Sequence, residues 1–523
     1  MACLCSAQTT DRFSVDSGGA GGDNNSDFPE ISTDGKFIVF ASQASNLVAG
    51  DTNFQFDIFV LERASGGIER VSVSSTGTEG NLGSFTGAIS ADGQFVSFVS
   101  SADNLIPGGN FNSDVYVHDR ATGMTTRVSV DSFGTPANGT CGGGAISGDG
   151  NLVAFTSFAN NLVVGDTNGQ ADAFVHNRTT GVTQRISVDS LGNQSDSGTS
   201  GVAFSGDGNI VAFYSGASNL VPGDTNTYSD VFTHDLSTGI TERVSVSSSG
   251  SEGDRWSLLP TLSFDGRYVA FESHSTNLVP GDTNDEADIF VHDRVLGTTE
   301  RVSVNSKGVQ ADDFSTGPEI SDDGRYVVYM SLAKNQMPGD SNSYYDICLY
   351  DRVSGILEKI STSSAGVHGN GHSWWPSVSE NGDTVVFSSN ADNLVSGDTN
   401  FRKDTFVRDR LNGTGTNFIV LEGPSSGSVG STLNLSWYAA RPNANSWLYY
   451  SLNLNGYVYL GHSFDTGTPH TLLDSGAMDS DGYRNYTSAP LPPAAAGLTV
   501  YCEAAVLHSG LLYDSNVLAI SIF

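Results

Sequence analysis

Five cysteines in 523 residues, at positions 3, 5, 141, 348 and 502, are too few and too scattered to form a disulfide framework. A chain this long buries enough core to fold without staples, so their scarcity excludes a disulfide-built scaffold and leaves export open. Basic residues are scarce too: 24 Lys+Arg face 58 Asp+Glu, a formal charge of -34. That excess repels phosphate backbones, so it argues against nucleic acid as a partner and disfavours anionic membrane surfaces. Solubility, a metal cation or a cationic partner remain as its uses. No apolar run approaches the ~18 residues of a membrane span. No complete signal peptide is present; Met1 to Ala7 reads either as the clipped end of one or as an ordinary disordered start. Sustained helical periodicity is missing throughout.

Repetition fills the space those absences leave. An Asp-Gly turn, once Asn-Gly, recurs at Asp34, Asp92, Asp149, Asp207, Asp265, Asp323 and Asn381, with gaps of 58, 57, 58, 58, 58 and 58 residues. A period of this size means a solenoid, a propeller or an array of domains. Each repeat holds four short segments rich in Val, Ile, Phe, Tyr and Thr, separated by turn residues. They have the length and composition of strands. Four antiparallel strands make one propeller blade. The second and third segments are apolar on successive residues, which suits a sheet covered on both faces.

Spacing also indicates how the ring closes. In six repeats a basic residue of the fourth segment lies 22 residues before the next turn: Arg70, Arg127, Arg185, Arg243, Arg301 and Lys359. Arg12 lies 22 residues before Asp34, and the seventh repeat loses its fourth segment. Residues 11 to 15 therefore read as the outer strand of the seventh blade, which removes the open edges of the ring. A rival for that place is Asn417 to Val420. The repeat ends near Gly415. Residues 416–523 hold roughly seven strand-like segments over about 108 residues, the pattern of a β-sandwich. The expected architecture is all-β: a tail or signal remnant at 1–8, a seven-bladed β-propeller at 9–415 closed by an N-terminal strand, and a β-sandwich at 416–523.

The phrases Pro260 to Phe271 and Asp288 to Arg294 (Asp-Ile-Phe-Val-His-Asp-Arg) resemble the blade repeat of TolB-like propellers. The resemblance spans about 400 residues and recurs in all seven copies, so it is specific for fold. For function it implies only a range: periplasmic scaffolds, peptidase accessory domains and some polysaccharide lyases. The loop between the second and third strands is longer here than in that family. The tail loosely resembles the β-sandwich modules of secreted bacterial proteins. Together these imply a bacterial extracellular or cell-envelope location.

Both long loops of each repeat, two-to-three and four-to-one, leave the same face of a blade, which makes that face the expected binding surface. The two-to-three loop carries Asp-x-Asn-x-x-x-Asp: Asp51/Asn53/Asp57, Asp166/Asn168/Asp172, Asp224/Asn226/Asp230, Asp282/Asn284/Asp288, Asp340/Asn342/Asp346 and Asp398/Asn400/Asp404. Oxygen donors at that spacing can wrap a hard cation, so these residues are candidate Ca2+ ligands. They also suit self-capped turns that need no metal. Repeat two has Gly109 at the first position and should bind poorly.

A second candidate, the row His118, His176, His234 and His292, occupies one strand-three slot per blade, which spreads it round a ring and favours packing over a metal site. A third is aromatic: Trp256, Phe314 and His372 share a slot in successive four-to-one loops, and Trp374 and Trp375 follow, a possible stacking patch for sugar or peptide. Asp119, Asp235, Asp293, Asp351 and Asp409 end strand three and are expected to pair with strand-four arginines or to cap the turn.

Nothing in the sequence forms a nucleophile motif. The one Gly-x-Ser-x-Gly match, Gly423 to Gly427, lacks the helix that should follow it. Departures from the repeat read as conservative. The expectation is a non-enzymatic exported scaffold that binds a protein or glycan, possibly stabilised by calcium. The alternative is a polysaccharide-active enzyme, lyase or hydrolase, working in the central cavity.

Overall fold

The computed structural model describes residues 8–410 apart from 110, 111, 338, 339 and 341; beyond 410 it describes only the backbone of the strands. The expectations for Met1 to Ala7, for the 415/416 boundary and for residues 423–425 of the Gly-x-Ser-x-Gly match lie outside the described residues. Two compact units separate, and one of them is Thr9–Asp409. No described residue is helical, so no helix is long and apolar enough to cross a membrane.

Thr9–Asp409 forms seven four-stranded antiparallel sheets. Blade five shows the pattern: Ser257–Leu262, Tyr268–Ser273, Asp288–Asp293 and Thr298–Arg301, paired in that order. Its Asp265-Gly266 turn works because Gly266 takes a positive φ of 65°, where Asp265 Oδ1 accepts from Ser263 Oγ at 2.9 Å and Arg267 N at 3.0 Å. Rings on strands two and three stack across the sheet. Phe271 and Phe290 lie 6.0 Å apart, and Phe40/Phe59, Phe98/Tyr116, Phe155/Phe174, Phe213/Phe232 and Phe387/Phe406 repeat the pair. Both sheet faces are covered by neighbouring blades: Val39, Ile58 and Val60 of blade one share a core with Val96, Phe98 and Tyr116 of blade two. That explains the unbroken apolar runs.

The ring closes as the spacing predicts, with a small shift in bounds. Thr9–Arg12 pairs antiparallel with Asp404–Asp409, from Thr9 opposite Asp409 to Arg12 opposite Phe406. Phe13 N continues the ladder to Thr405 O at 3.1 Å, and the buried Phe13 ring meets Phe40 of blade one edge-on at 5.3 Å. The rival is excluded, because Ile419–Glu422 pairs with Asn434–Ala439 instead; residues 417 and 418 lie outside the described residues.

The tail has eleven described strands rather than about seven. Ile419–Glu422, Asn434–Ala439 and Tyr483–Thr487 make one sheet, and a larger sheet centres on Asn445–Ser451 and Thr499–His508. The packing of one sheet on another, which a sandwich requires, involves side chains outside the described residues, Cys502 among them.

Candidate functional site

Strand four of each blade sends a basic side chain into the two-to-three loop. In blade four, Arg243 Nη1 lies 3.4 Å from Asp224 Oδ1, 3.2 Å from Asp230 Oδ2 and 3.0 Å from Glu252 Oε2. Asn226 Nδ2 donates to Asp230 at 3.2 Å, and Ser245 Oγ donates to its other oxygen at 2.5 Å. Arg70 holds Asp51, Asp57 and Glu79 in the same way. Arg185 meets Asp166 and Asp172, Arg301 meets Asp282 and Asp288, and Lys359 meets Asp340 and Asp346. Asn53, Asn168, Asn284 and Asn400 donate to the last Asp of their own loops, whereas Asn342 accepts from Tyr344 N. In blade seven the clasp supplies the parts: Arg12 reaches Asp398 at 2.9 Å and Asp404 at 3.2 Å, and Ser14 Oγ donates to Asp404 at 2.6 Å. In blade two, which has Gly109, Arg127 meets Asp114 at 3.4 Å.

The cation these loops call for is thus present within the chain. Two groups, Asp51/Asp57/Glu79 and Asp224/Asp230/Glu252, still bring three carboxylates within 4.8 Å of one another. Burial raises Asp51, Asp224 and Asp282 to about 6, with the neighbouring arginines pulling the other way.

The histidine row packs and does not converge. Each ring is buried, and its Nδ1 meets a strand-four threonine: His118 with Thr125, His176 with Thr183, His234 with Thr241 and His292 with Thr299, at 2.8–2.9 Å. Burial lowers all four pKa values, which keeps the rings neutral. Asp119, Asp235, Asp293 and Asp351, which end strand three, cap the turn, as Asp293 Oδ1 does for Val295 N at 2.9 Å. Their ion pairs go to different partners from those expected. Asp293 and Asp351 take Arg267 and Arg325, just after the Asp-Gly turns, and Asp409 takes Arg63 of blade one. The strand-four arginines are already committed to the loops.

The aromatic residues form a strip on the long-loop face. Trp256, 49% exposed, meets Tyr228 at 5.3 Å and His274 at 6.1 Å, and His274 meets Phe314 at 5.8 Å. A second run joins Tyr344 and Tyr345 to His372, which stacks on Trp374 at 5.4 Å and 17°. Lys403 Nζ sits 4.5 Å above Trp374 and pairs with Asp27 at 2.6 Å. Tyr345 N fixes His372 by donating to its Nδ1 at 2.9 Å. Beneath the strip lies Glu272, buried and raised by that burial; it accepts from Thr316 Oγ1, and His274 Nε2 lies 3.8 Å away. Trp375 leaves the strip and turns to the centre, meeting Phe28 of blade one at 5.2 Å.

That centre holds what sequence reasoning missed. The first strands of all seven blades line one channel. Each carries a bulge whose third residue is left-handed: Phe28, Thr86, Gly143, Gly201, Leu259, Gly317 and Trp375, with φ from 46° to 70°. Glycine takes this backbone freely; a bulky residue there costs about 1–2 kcal/mol. The chain nevertheless keeps Phe28, Leu259 and Trp375 there, round a mouth of about 400 Å³ at the long-loop end. Two residues further on, a slot filled by Ala88, Ala145, Ala203, Thr261 and Ser377 is broken by Glu30 and Glu319. Both are partly buried in the channel wall. Burial pushes Glu30 up to about 8, and the charge of Glu319 adds to the rise; burial pushes Glu319 up to about 7. These departures from the repeat are not conservative. Aligning that one slot across the copies is the signal that would have found them.

The fold and its channel define a seven-bladed β-propeller protein with a loop-rich, aromatic face. No protein-family model matches the chain, and no curated protein matches it. Among solved structures it is similar to a TolB structure from Agrobacterium tumefaciens, with 16% identity, a TM-score of 0.36, and coverage of 66% of this chain and 94% of that one. It is also similar to an ancestral GH74 enzyme, with 10% identity, a TM-score of 0.35, and coverage of 94% of this chain and 72% of that one. These resemblances leave function to the residues themselves.

Proposed function

We propose that the protein is a non-enzymatic binding scaffold of the extracellular space or cell envelope, presenting its long-loop face to a glycan or protein. The strip from Tyr228 through Trp256 to Trp374 carries this reading. Flat rings half open to solvent, flanked by Arg255 and Lys403, suit stacking against sugar rings or peptide groups. The test is an immobilised glycan panel. The expected result is retention without new reducing ends, weakened about tenfold by Trp256→Ala. Retention of no glycan would turn the search to protein partners, and product formation would replace binding by catalysis.

A polysaccharide-active enzyme is the second reading, favoured by one observation. Glycoside hydrolysis uses two carboxyl groups, and Glu30 and Glu319 both line the channel. Against it, the way in is lined by Phe28, Leu259 and four prolines, a poor path for a hydroxylated chain. A lyase fits less well, because no His, Lys or Arg lines the channel among the described residues. Calcium binding falls to the loops of blades one and four, where the ion would displace Arg70 or Arg243 from three carboxylates. A melting temperature lowered by chelator would support it.

A further inference from the structure

We infer that the long-loop mouth of the central channel is a second binding site, distinct from the aromatic strip, and that it takes a primary alkylammonium group, an amine carried on an aliphatic stem. The first reason is unfilled hydrogen-bonding capacity on two carboxyl groups of the channel wall. Glu30 Oε1 accepts from Ile89 N at 3.1 Å, and Glu319 Oε2 accepts from Thr261 Oγ1 at 2.9 Å. Among the described residues neither carboxyl group takes a further hydrogen bond, which leaves each an oxygen for a ligand. Lower in the same channel, the Asp322 carboxyl group has a hydrogen bond with Thr33, and its Oδ2 is buried with no partner among the described residues. Charges withdrawn from water need partners. Each rim loop has its own arginine or lysine; the channel wall has no basic residue among the described ones. A cation that ionises these carboxyl groups would therefore be a ligand's, taking the place of the protons that burial otherwise holds there.

The second reason is the approach to those carboxylates. Phe28, Leu259, Trp375, Pro29, Pro260 and Pro376 make the mouth apolar, which matches methylenes. A volume of about 400 Å³ is that of a small-molecule site. A hard divalent ion suits this wall less well, because two carboxylates and one hydroxyl fall short of about six to eight oxygens.

Calorimetric titration of the full chain with pentylamine, 1-pentanol, 1,5-diaminopentane, Nα-acetyl-lysine amide and calcium chloride tests the site. The amines are expected to bind and pentanol is not. Glu30→Gln and Glu319→Gln should each weaken pentylamine at least about tenfold, and the double variant should abolish binding. Trp375→Ala should weaken it too. Diaminopentane binding tighter than the lysine amide would identify a free polyamine as the source, and the reverse would identify a partner's lysine; both support the site. Equal binding of pentanol, calcium without amine, no amine binding, or affinity unchanged in the double variant would overturn it. The pentylamine–pentanol contrast needs no variant, so it decides even if a substitution prevents folding. Trp256→Ala, on the strip, should leave amine affinity unchanged, so failure here and failure of the glycan reading are separable.

Discussion

The rim of the ring and the wall of its channel are built from the same seven copies, yet they treat charge in opposite ways. At the rim each carboxylate cluster comes with its own base, and the unit of Asp, Ser and Arg or Lys recurs with little change from blade one to the clasp. In the channel one slot is small in five blades and glutamate in two, with no base beside it. A position repeated around a ring serves what every blade needs, which is to hold its outer strand. A position that breaks the repeat serves something the ring needs only once. The rim's Asp-x-Asn loops therefore share one ion-paired unit, whereas two glutamates interrupt a row of small residues in the channel.

The strongest way to break this comparison is to remove the clasp. Deleting residues 1–15 strips Arg12, Phe13 and Ser14 from blade seven and leaves Asp404–Asp409 as an open edge. Loss of the buried pair alone costs about 3–5 kcal/mol, and loss of the Phe13 core contact adds about 2 kcal/mol. Calorimetry should show a much lower or broadened transition, and protease should cut blade seven first. An unchanged transition would mean that the ring does not depend on this closure.

Next in size is a single rim clamp. Asp230→Ala leaves Arg243 facing Asp224 and Glu252 alone and takes the acceptor from Ser245. It should destabilise by about 3–5 kcal/mol in denaturant unfolding. Arg243→Met added to it should deepen the loss, because the buried Asp224 and its neighbour Glu252 then stand without a cation.

The channel should respond in the opposite sense. Burial raises Glu30 to about 8 and Glu319 to about 7, from an ordinary 4.5. The folded chain therefore keeps protons that the unfolded chain releases, and stability falls as pH rises from about 4.5 to about 8. Glu30→Gln with Glu319→Gln removes that dependence. The double variant should melt at or above the wild-type temperature at pH 8, and the gap should shrink toward pH 6. A variant less stable than wild type at pH 8 would show that these carboxylates hold the wall together.

Most of the fold was legible because it is periodic. A 22-residue spacing placed Arg12 in blade seven, and the pairing of Arg12 with Phe406 agrees. The same periodicity says less about the site. Asp51, Asn53 and Asp57 have metal-ligand spacing, but spacing does not reveal that Arg70, more than a dozen residues later, returns to the same point. The aromatic slot named Trp256, Phe314 and His372, yet hid that His274 joins the first two of them. Glu30 and Glu319 stayed unseen because each lies alone in its own repeat, 289 residues apart. Only closure brings blades one and six to one channel.

The smallest effect tests the rim's claim to hold its own cation. In wild type, Arg243 Nη1 lies within 3.4 Å of oxygens from Asp224, Asp230 and Glu252, so calcium must displace a guanidinium that is already paired. Millimolar calcium should move the melting temperature by no more than about 1 °C, because weak differential binding stabilises by little. Arg243→Ala leaves three carboxylates whose oxygens lie within 4.8 Å of one another with no internal cation. That variant should start less stable and gain from calcium, with chelator reversing the gain. The equivalent change in blade five, Arg301→Ala, leaves two carboxylates, Asp282 and Asp288, and should respond less. A wild-type transition that drops with chelator would make metal, rather than arginine, the rim's cation, and the contrast between rim and channel would then lose its basis.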